Sequence, residues 1–231
     1  MIAQEQRAYL LHSRPFKDNQ HLVELLTEND GKVAALVYMN KSSKASKSGL
    51  LQPFTPLNLV LKGNNSLKRL SRVEAAAKSY PLSGDSLYSA MYLNELLVRL
   101  LAEHVPCEAL YLSYHESLLA LTQPPSIEII LRKFELVLLE ELGIPLDFTP
   151  VMQASCASFY YQPELGFVPD DNQQLFPCYR REELAAIARQ DFSSKSVLLC
   201  FKRLMRQVLS DLLGAKPLHS RKLFTKREIM S

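Results

Sequence analysis

Five short apolar runs, each ended by turn chemistry, fill the first 80 residues, and none of them keeps a helical period. This spacing confines the region to small β-structure. Residues 7–12 form the first run, and Ser13-Arg-Pro-Phe-Lys-Asp-Asn19 interrupts it with turn residues. Residues 21–27 form the second, and Glu28-Asn-Asp-Gly31 carries the Asp-Gly pair of a tight hairpin before a third run over 32–38. Leu57, Leu59 and Leu61 alternate with Asn58 and Val60, so one face of the fourth strand is buried. Lys62-Gly-Asn-Asn-Ser66 turns the chain again. The fifth strand, 67–75, is expected to hold Lys68 and Arg72 on one face and Arg69 on the other. A five-stranded oligonucleotide-binding (OB) barrel accommodates this pattern, with an SH3-like barrel as the alternative.

The period changes at Pro81. Tyr88, Met91, Tyr92, Leu96 and Leu100 share a helical face over 86–103, and Leu110, Tyr111, Tyr114 and Leu118 share one over 107–121. Ser126 is the expected N-cap of a third helix, with a stripe of Ile127, Ile130, Leu131, Phe134, Leu138 and Leu142 and a terminating Gly143. Residues 144–179 hold five prolines and the aromatics Phe159, Tyr160 and Tyr161, and read as an irregular insert with a turn at Pro169-Asp-Asp-Asn172. A short helix over 181–190 and a strong one over 194–213, ended by Gly214, follow. The expected architecture is therefore α+β in two domains. An OB barrel spans 1–80, and an all-helical domain spans 81–231 with the irregular insert and a basic C-terminal tail.

The net charge of +3 conceals a segregation. Residues 1–80 carry +6, residues 81–190 carry −9 and residues 191–231 carry +6. Basic ends around an acidic middle point to different partners for different parts. The apolar share of 47% excludes general disorder. No apolar run approaches the roughly 18 residues of a membrane span, and the N-terminus lacks the pattern of a signal peptide, so a cytoplasmic protein is expected.

Lys41-Ser-Ser-Lys-Ala-Ser-Lys-Ser-Gly49 places Lys41, Lys44 and Lys47 three residues apart in a loop that cannot bury itself. It is either a solvated loop or a contact to an extended polyanion. Lys62, Lys68, Arg69 and Arg72 add charge on later strands, and Arg14 lies in the first turn. Phe16, Tyr38 and Phe54 either stack bases beside these cations or belong to the barrel core. The tail from Lys216 to Arg227 is either a disordered basic end or a segment anchored by Leu218, Leu223 and Phe224, which would present Lys216, Arg221 and Lys222 at a fixed place. Arg132 and Lys133 stand together in the acidic middle. Arg132 is either a snorkelling side chain or a cation beside an apolar groove suited to an acidic, apolar peptide.

No catalytic signature is present: there is no Gly-rich phosphate loop, no Gly-x-Ser-x-Gly and no His-Glu-x-x-His. The pairs Glu140-Glu141 and Glu182-Glu183 are adjacent, and helical neighbours one apart do not face each other. Cys107, Cys156, Cys178 and Cys200 form no Cys-x-x-Cys pair, which favours buried free thiols over disulfides or zinc. A non-enzymatic protein without cofactor or metal is expected. Two rivals remain from other classes, a metal-dependent nucleic-acid enzyme and an RNA-binding barrel protein of the translation machinery.

Five motifs, in order, carry a resemblance: Leu51-Gln-Pro-Phe-Thr-Pro-Leu57 after the basic loop, Leu82-Ser-Gly with Leu87-Tyr-Ser89, Asn94-Glu-Leu-Leu97, Leu131-Arg-Lys-Phe-Glu-Leu136, and Gly214-Ala-Lys-Pro-Leu-His-Ser-Arg-Lys-Leu-Phe224. Together they resemble the bacterial RecO family of recombination mediators, almost end to end. The resemblance implies an OB barrel followed by a helical domain, and binding of single- and double-stranded DNA with annealing of complementary strands. It implies action in recombinational DNA repair, on the nucleoid, with RecR and single-stranded DNA-binding protein (SSB), to help load RecA. The DNA contacts expected are Arg14, Lys41, Lys44, Lys47, Lys68, Arg69 and Arg72 on the barrel and Lys216, Arg221 and Lys222 on the tail. The resemblance also implies docking of the acidic SSB tail on the helical domain, with Arg132 and Lys133 as its cations. Many members of the family hold a four-cysteine zinc site after the third helix. Here only Cys156 and Cys178 fall in that region, so no zinc is expected.

Overall fold

A computed structural model describes residues 5–38, 47–123, 127–170 and 177–228. Its elements in chain order are β1 (Glu5–Lys17), β2 (Gln20–Thr27), β3 (Gly31–Tyr38), α1 (Lys47–Leu50), β4 (Leu57–Lys62), β5 (Lys68–Ala75), α2 (Gly84–Leu100), α3 (Glu108–Leu121), α4 (Ile127–Glu141), α5 (Thr149–Gln153), β6 (Ser158–Gln162), β7 (Gly166–Pro169), β8 (Cys178–Arg180), α6 (Arg181–Ala188), α7 (Lys195–Leu213) and α8 (Arg221–Glu228). They fall into two compact units, residues 1–125 with 218–231, and residues 126–217.

The first unit is built on a closed barrel of order β1-β2-β3-β5-β4, with β3 parallel to β5 and the other pairs antiparallel. This closure is the expected OB barrel. It removes the free edges that short strands would otherwise expose. Ala8, Leu10, Val23, Leu25, Ala35, Val37, Leu57, Leu59, Leu70 and Val73 fill the interior. Leu50 and Leu51, at the end of α1, pack against that core. The single turn of α1 thus takes over the last residues of the expected lysine loop, while Lys41 and Lys44 lie outside the described residues.

Two strands depart from the alternation read in the sequence, and bulges are the reason. The expected break at 13–19 shrinks to Asp18 and Asn19, because β1 runs on through Pro15. Its other neighbour, β4, pairs with residues 5–8, so among the described residues no strand pairs with Pro15 on that side and the proline withholds no ladder bond there. In β5 the register shifts at Ser71, so Leu70 and Val73 both face the core although they are three apart. Arg69 and Arg72 consequently share the outer face, paired with Lys62 and Val60, and Lys68 falls on the side of Leu70.

A second bulge, at Leu11, couples the barrel to the helices. The register shift between Leu10 and His12 takes Leu11 out of the ladder. Its carbonyl accepts a hydrogen bond from Asn94 Nδ2 on α2 at 3.0 Å, and Asn94 Oδ1 accepts one from the Tyr114 hydroxyl of α3 at 2.5 Å. Tyr9 packs edge-on against Tyr114 with ring centres 5.1 Å apart, and its hydroxyl meets His115 Nδ1 at 2.6 Å. Burial holds the phenols of Tyr9 and Tyr114 well above their usual range, so both stay protonated. Every polar atom of this contact that we name is satisfied, which a buried network needs if it is to stabilise.

The second unit packs α4 and α6 on α7. Phe134, Leu138, Leu184, Phe201, Leu204 and Met205 are buried in it. Gly143 ends α4 at φ +73°, with Ile144 N–H bonded to Leu139 O at 3.0 Å. The expected cap Ser126 and turn residues Asp171 and Asn172 lie outside the described residues. The insert is more regular than its prolines suggest. It forms a three-stranded antiparallel sheet, β7-β6-β8, held over α7 by the Tyr179 hydroxyl on Gln207 at 2.6 Å and by Gln207 Nε2 on Tyr161 O at 3.0 Å.

Gly31 tests how tightly the barrel meets the α2–α3 connection. It turns the β2–β3 hairpin at φ +65°, and a Cβ there would lie 1.8 Å from Val105 O. Gly31→Ala is expected to cost about 3 kcal/mol of unfolding free energy in urea, from left-handed strain plus displacement of that connection. Gly143→Ala, at φ +73° with open space around it, is expected to cost only about 1 kcal/mol. Equal losses would mean that the Val105 contact is not tight.

Candidate nucleic-acid interface

Strand register places the expected cations. Arg14 pairs with Leu22, Leu22 with Leu36, Leu36 with Arg69, and Arg69 with Lys62. One rung thus crosses β1, β2, β3, β5 and β4. Paired residues of neighbouring strands share a face, and Val23 and Val37, next in sequence, point into the core, so the rung faces outward. Arg14 and Arg69 are exposed, while Leu22 and Leu36 are half-buried. With strands about 4.8 Å apart, the two arginines stand about 14 Å from each other across two leucines. Cations at the sides of a shallow apolar strip are what a polynucleotide contact requires, because phosphates and base faces need different neighbours.

The aromatic residues divide. Phe54 is buried, at φ +60°, and its carbonyl accepts the Tyr80 N–H, so it is core. Tyr38 and Phe16 are 43% and 45% exposed. The guanidinium of Arg69 lies over the Tyr38 ring at 4.9 Å, and Lys17 Nζ lies over the Phe16 ring at 5.6 Å. Tyr38 and Lys17 both pair with Gln20, so the two cation–ring pairs occupy one end of the sheet. Arg72 is committed to Glu74 at 3.0 Å, and Lys68 Nζ donates to Gly63 O at 3.1 Å. Of the expected barrel contacts, the structure brings Arg14 and Arg69 together on one face with Lys62. The sequence marks Lys62 by charge alone and carries no local signal for Lys17. Nothing local in the sequence marks the Arg69–Tyr38 pair, because it depends on the parallel β3–β5 contact.

Arg14 and Leu22 also open onto a groove of about 1190 Å³. Its far wall is α2, with Leu87, Met91 and Val98, and the C-terminal segment, with Ser220 and Leu223. That segment is ordered. Leu218 is buried, Phe224 meets Tyr88 edge-on at 5.7 Å, and the chain continues as α8. Glu95 secures it. Oε1 accepts the His219 N–H at 2.8 Å, and Oε2 accepts the Ser220 N–H and hydroxyl at 2.9 and 2.7 Å. The carboxylate satisfies the amides of the two residues that lead into α8, and its charge lies at the positive end of that helix. Lys222 is exposed and Arg221 half-buried beyond it, and Lys216 is exposed before it.

The second unit holds Arg132 and Lys133 on α4. Arg132 is buried, with its guanidinium 2.8 Å from the buried Glu135 carboxylate, and so does not snorkel. Its Nε has no hydrogen-bond partner among the described residues. Lys133 is exposed. No three His, Cys, Asp or Glu residues of the described chain come together as a metal-ligand set. None of the four cysteines forms a disulfide, and burial pushes the Cys200 thiol up to about 12. No described helix is long and apolar enough to cross a membrane.

Glu95 gives this arrangement a pH dependence. Burial raises its pKa, but the bonds from Ser220 and His219 outweigh that and hold it below its usual value. A carboxyl whose folded pKa is depressed stabilises above its unfolded pKa and loses that contribution as pH falls through the folded one. The C-terminal segment should therefore become protease-sensitive below about pH 4 in the native protein. Glu95→Gln should make it sensitive already at pH 7 and flatten the acid limb. An unchanged cleavage profile would show that Glu95 does not hold the segment.

Comparison with known proteins agrees along the whole chain. The family described as Recombination protein O N terminal matches residues 1–78, and Recombination protein O C terminal matches residues 81–173. The chain is 38% identical to the DNA repair protein RecO of Pseudoalteromonas atlantica, over 100% of this chain and 98% of that one. It is 38% identical to the protein of the same name from Psychromonas ingrahamii, over 95% and 97%, and 39% identical to that from Hahella chejuensis, over 94% and 93%. A closed five-stranded barrel followed by helices, matched in both halves and over full length, makes this chain a member of the RecO family of DNA repair proteins.

Proposed function

We propose that the chain binds DNA on the outer face of its barrel, anneals complementary strands, and acts as a recombination mediator with RecR and SSB to help load RecA. The observation that carries this reading is the outward rung Arg14–Leu22–Leu36–Arg69–Lys62 with Tyr38 beneath Arg69, on a chain of the RecO family. Its cations neutralise phosphates, which lowers the repulsion between two strands and lets them pair. The chain then works by binding, not by catalysis. Lys41, Lys44, Lys47, Lys68 and Arg72, with Lys216, Arg221 and Lys222 of the tail, extend the same cationic contact. The SSB tail takes Arg132 and Lys133. Support for that contact is the exposed Lys133 beside the Arg132–Glu135 pair on α4, a cation open to an incoming carboxylate. Removing Arg132 alone would leave Glu135 without its ion-pair partner, at a cost of about 3–5 kcal/mol, so the exposed Lys133 is the cleaner position to alter.

Annealing of complementary oligonucleotides, bare and SSB-coated, tests the reading. The protein should speed pairing of bare strands, and of coated strands only while SSB keeps its acidic tail. Arg14→Ala, Arg69→Ala and Arg72→Ala combined should abolish annealing and lower the slope of log affinity against log salt by about 2 on single strands. A triple variant with the original slope and annealing rate would remove this face from DNA binding. Equal annealing with tailless SSB would remove the tail as partner.

A further inference from the structure

We propose that Arg69 acts as a stacking plate for an unpaired base, with Tyr38 as its backing, and that this plate makes the barrel face prefer single strands to duplex. The inference rests on the proposed DNA-binding face and adds a residue role and a substrate class to it.

Three observations carry it. Arg69 and Tyr38 are both exposed, yet the guanidinium lies over the ring at 4.9 Å and does not extend freely into water. No carboxylate pairs with Arg69 among the described residues, whereas Arg72, three residues on, is paired with Glu74 at 3.0 Å. Arg69 is therefore an exposed guanidinium set against an aromatic ring, with no ion pair to a carboxylate among the described residues. Its rung neighbour is Leu36, half-buried, followed by Leu22, so the surface beside the plate is apolar.

A guanidinium is planar and weakly hydrated, and it stacks on π-faces. With one face on Tyr38, the other matches a nucleobase, and bases of unpaired strands stack on arginine planes as they do on aromatic rings. The ordering of the long side chain is supplied in advance by Tyr38, so less freedom is lost when a base arrives. The charge still lies near the phosphate that follows the base. A duplex hides its base faces and can use only that charge. The second cation–ring pair, Lys17 over Phe16, lies two strands away, about 10 Å, where Phe16 offers a further ring without a planar cation.

The test uses the full-length protein with a single-stranded oligonucleotide carrying 2-aminopurine, and a duplex of equal length. Arg69→Lys keeps the charge and removes the plane. It should weaken single-strand binding about tenfold, leave the salt slope and duplex affinity unchanged, and abolish the 2-aminopurine quenching seen with the native protein. Tyr38→Ala should weaken single-strand binding to a similar degree, because Arg69 loses its backing. Unchanged melting temperatures will show both variants folded, as expected for exposed positions. If Arg69→Lys binds single strands as the native protein does, Arg69 is only a charge and the plate is overturned, with the DNA face intact. Equal weakening on both substrates overturns it too. If the native protein binds neither substrate, the DNA-binding reading itself fails.

Discussion

The buried ammonium of Lys32 holds the first unit together. Its Nζ donates to Val98 O at 2.8 Å, in the last turn of α2, where unpaired carbonyls and the helix dipole both favour a cation. The same residue's carbonyl accepts the His104 N–H at 2.9 Å, and the His104 ring meets Ser66 O at 2.7 Å across the β4–β5 hairpin. Next to it, Gly31 leaves room for Val105 O. One short segment thus ties the β2–β3 hairpin, the end of α2 and the β4–β5 hairpin. A buried lysine without such a partner would be costly. With it, the barrel and α2 have one relative setting, and the groove between the outer face of β1 and α2 has fixed walls.

The Leu11 bulge works from the other side. An extra residue in a strand leaves backbone groups unpaired, which is destabilising inside a protein unless another group meets them. Asn94 meets the Leu11 carbonyl and is itself held by Tyr114. The bulge also alters which side chains of β1 face outward, and Arg14 reaches the outer rung beyond it. The same register device in β5 puts Arg69 and Arg72 on one surface. The proposed nucleic-acid face is thus a product of two bulges as much as of composition.

Much of this was legible in the chain itself. Alternation at Leu57, Leu59 and Leu61, the Asp30-Gly31 turn and the change of period at Pro81 are local signals, and they gave the five strands and the helices after them. Bulges are not local signals. A single extra residue at Ser71 reverses the facing of every residue beyond it, so strict alternation places Arg72 with Lys68 when it lies with Arg69, while Lys68 and Arg69 fall on opposite faces as expected. Pro15 misled in the same way, since proline breaks a central strand but not one with a free edge. The insert's prolines masked a small sheet whose strands pair over α7. The Arg69–Tyr38 and Glu95–Ser220 contacts join residues 31 and 125 apart, and no periodicity reports such pairs. Arg132 looked like an edge residue, and its burial depends on Glu135 one turn later.

The central claim is that DNA lies across the outer face of β1, β2, β3 and β5, at the end marked by Tyr38 and Phe16. Photocrosslinking addresses it most directly. The full-length protein is irradiated on a single-stranded oligonucleotide containing 5-iodouracil, and the adducts are mapped by mass spectrometry. The account requires adducts at Tyr38 and Phe16. Adducts confined to residues 126–217, with none on the barrel strands, would contradict it.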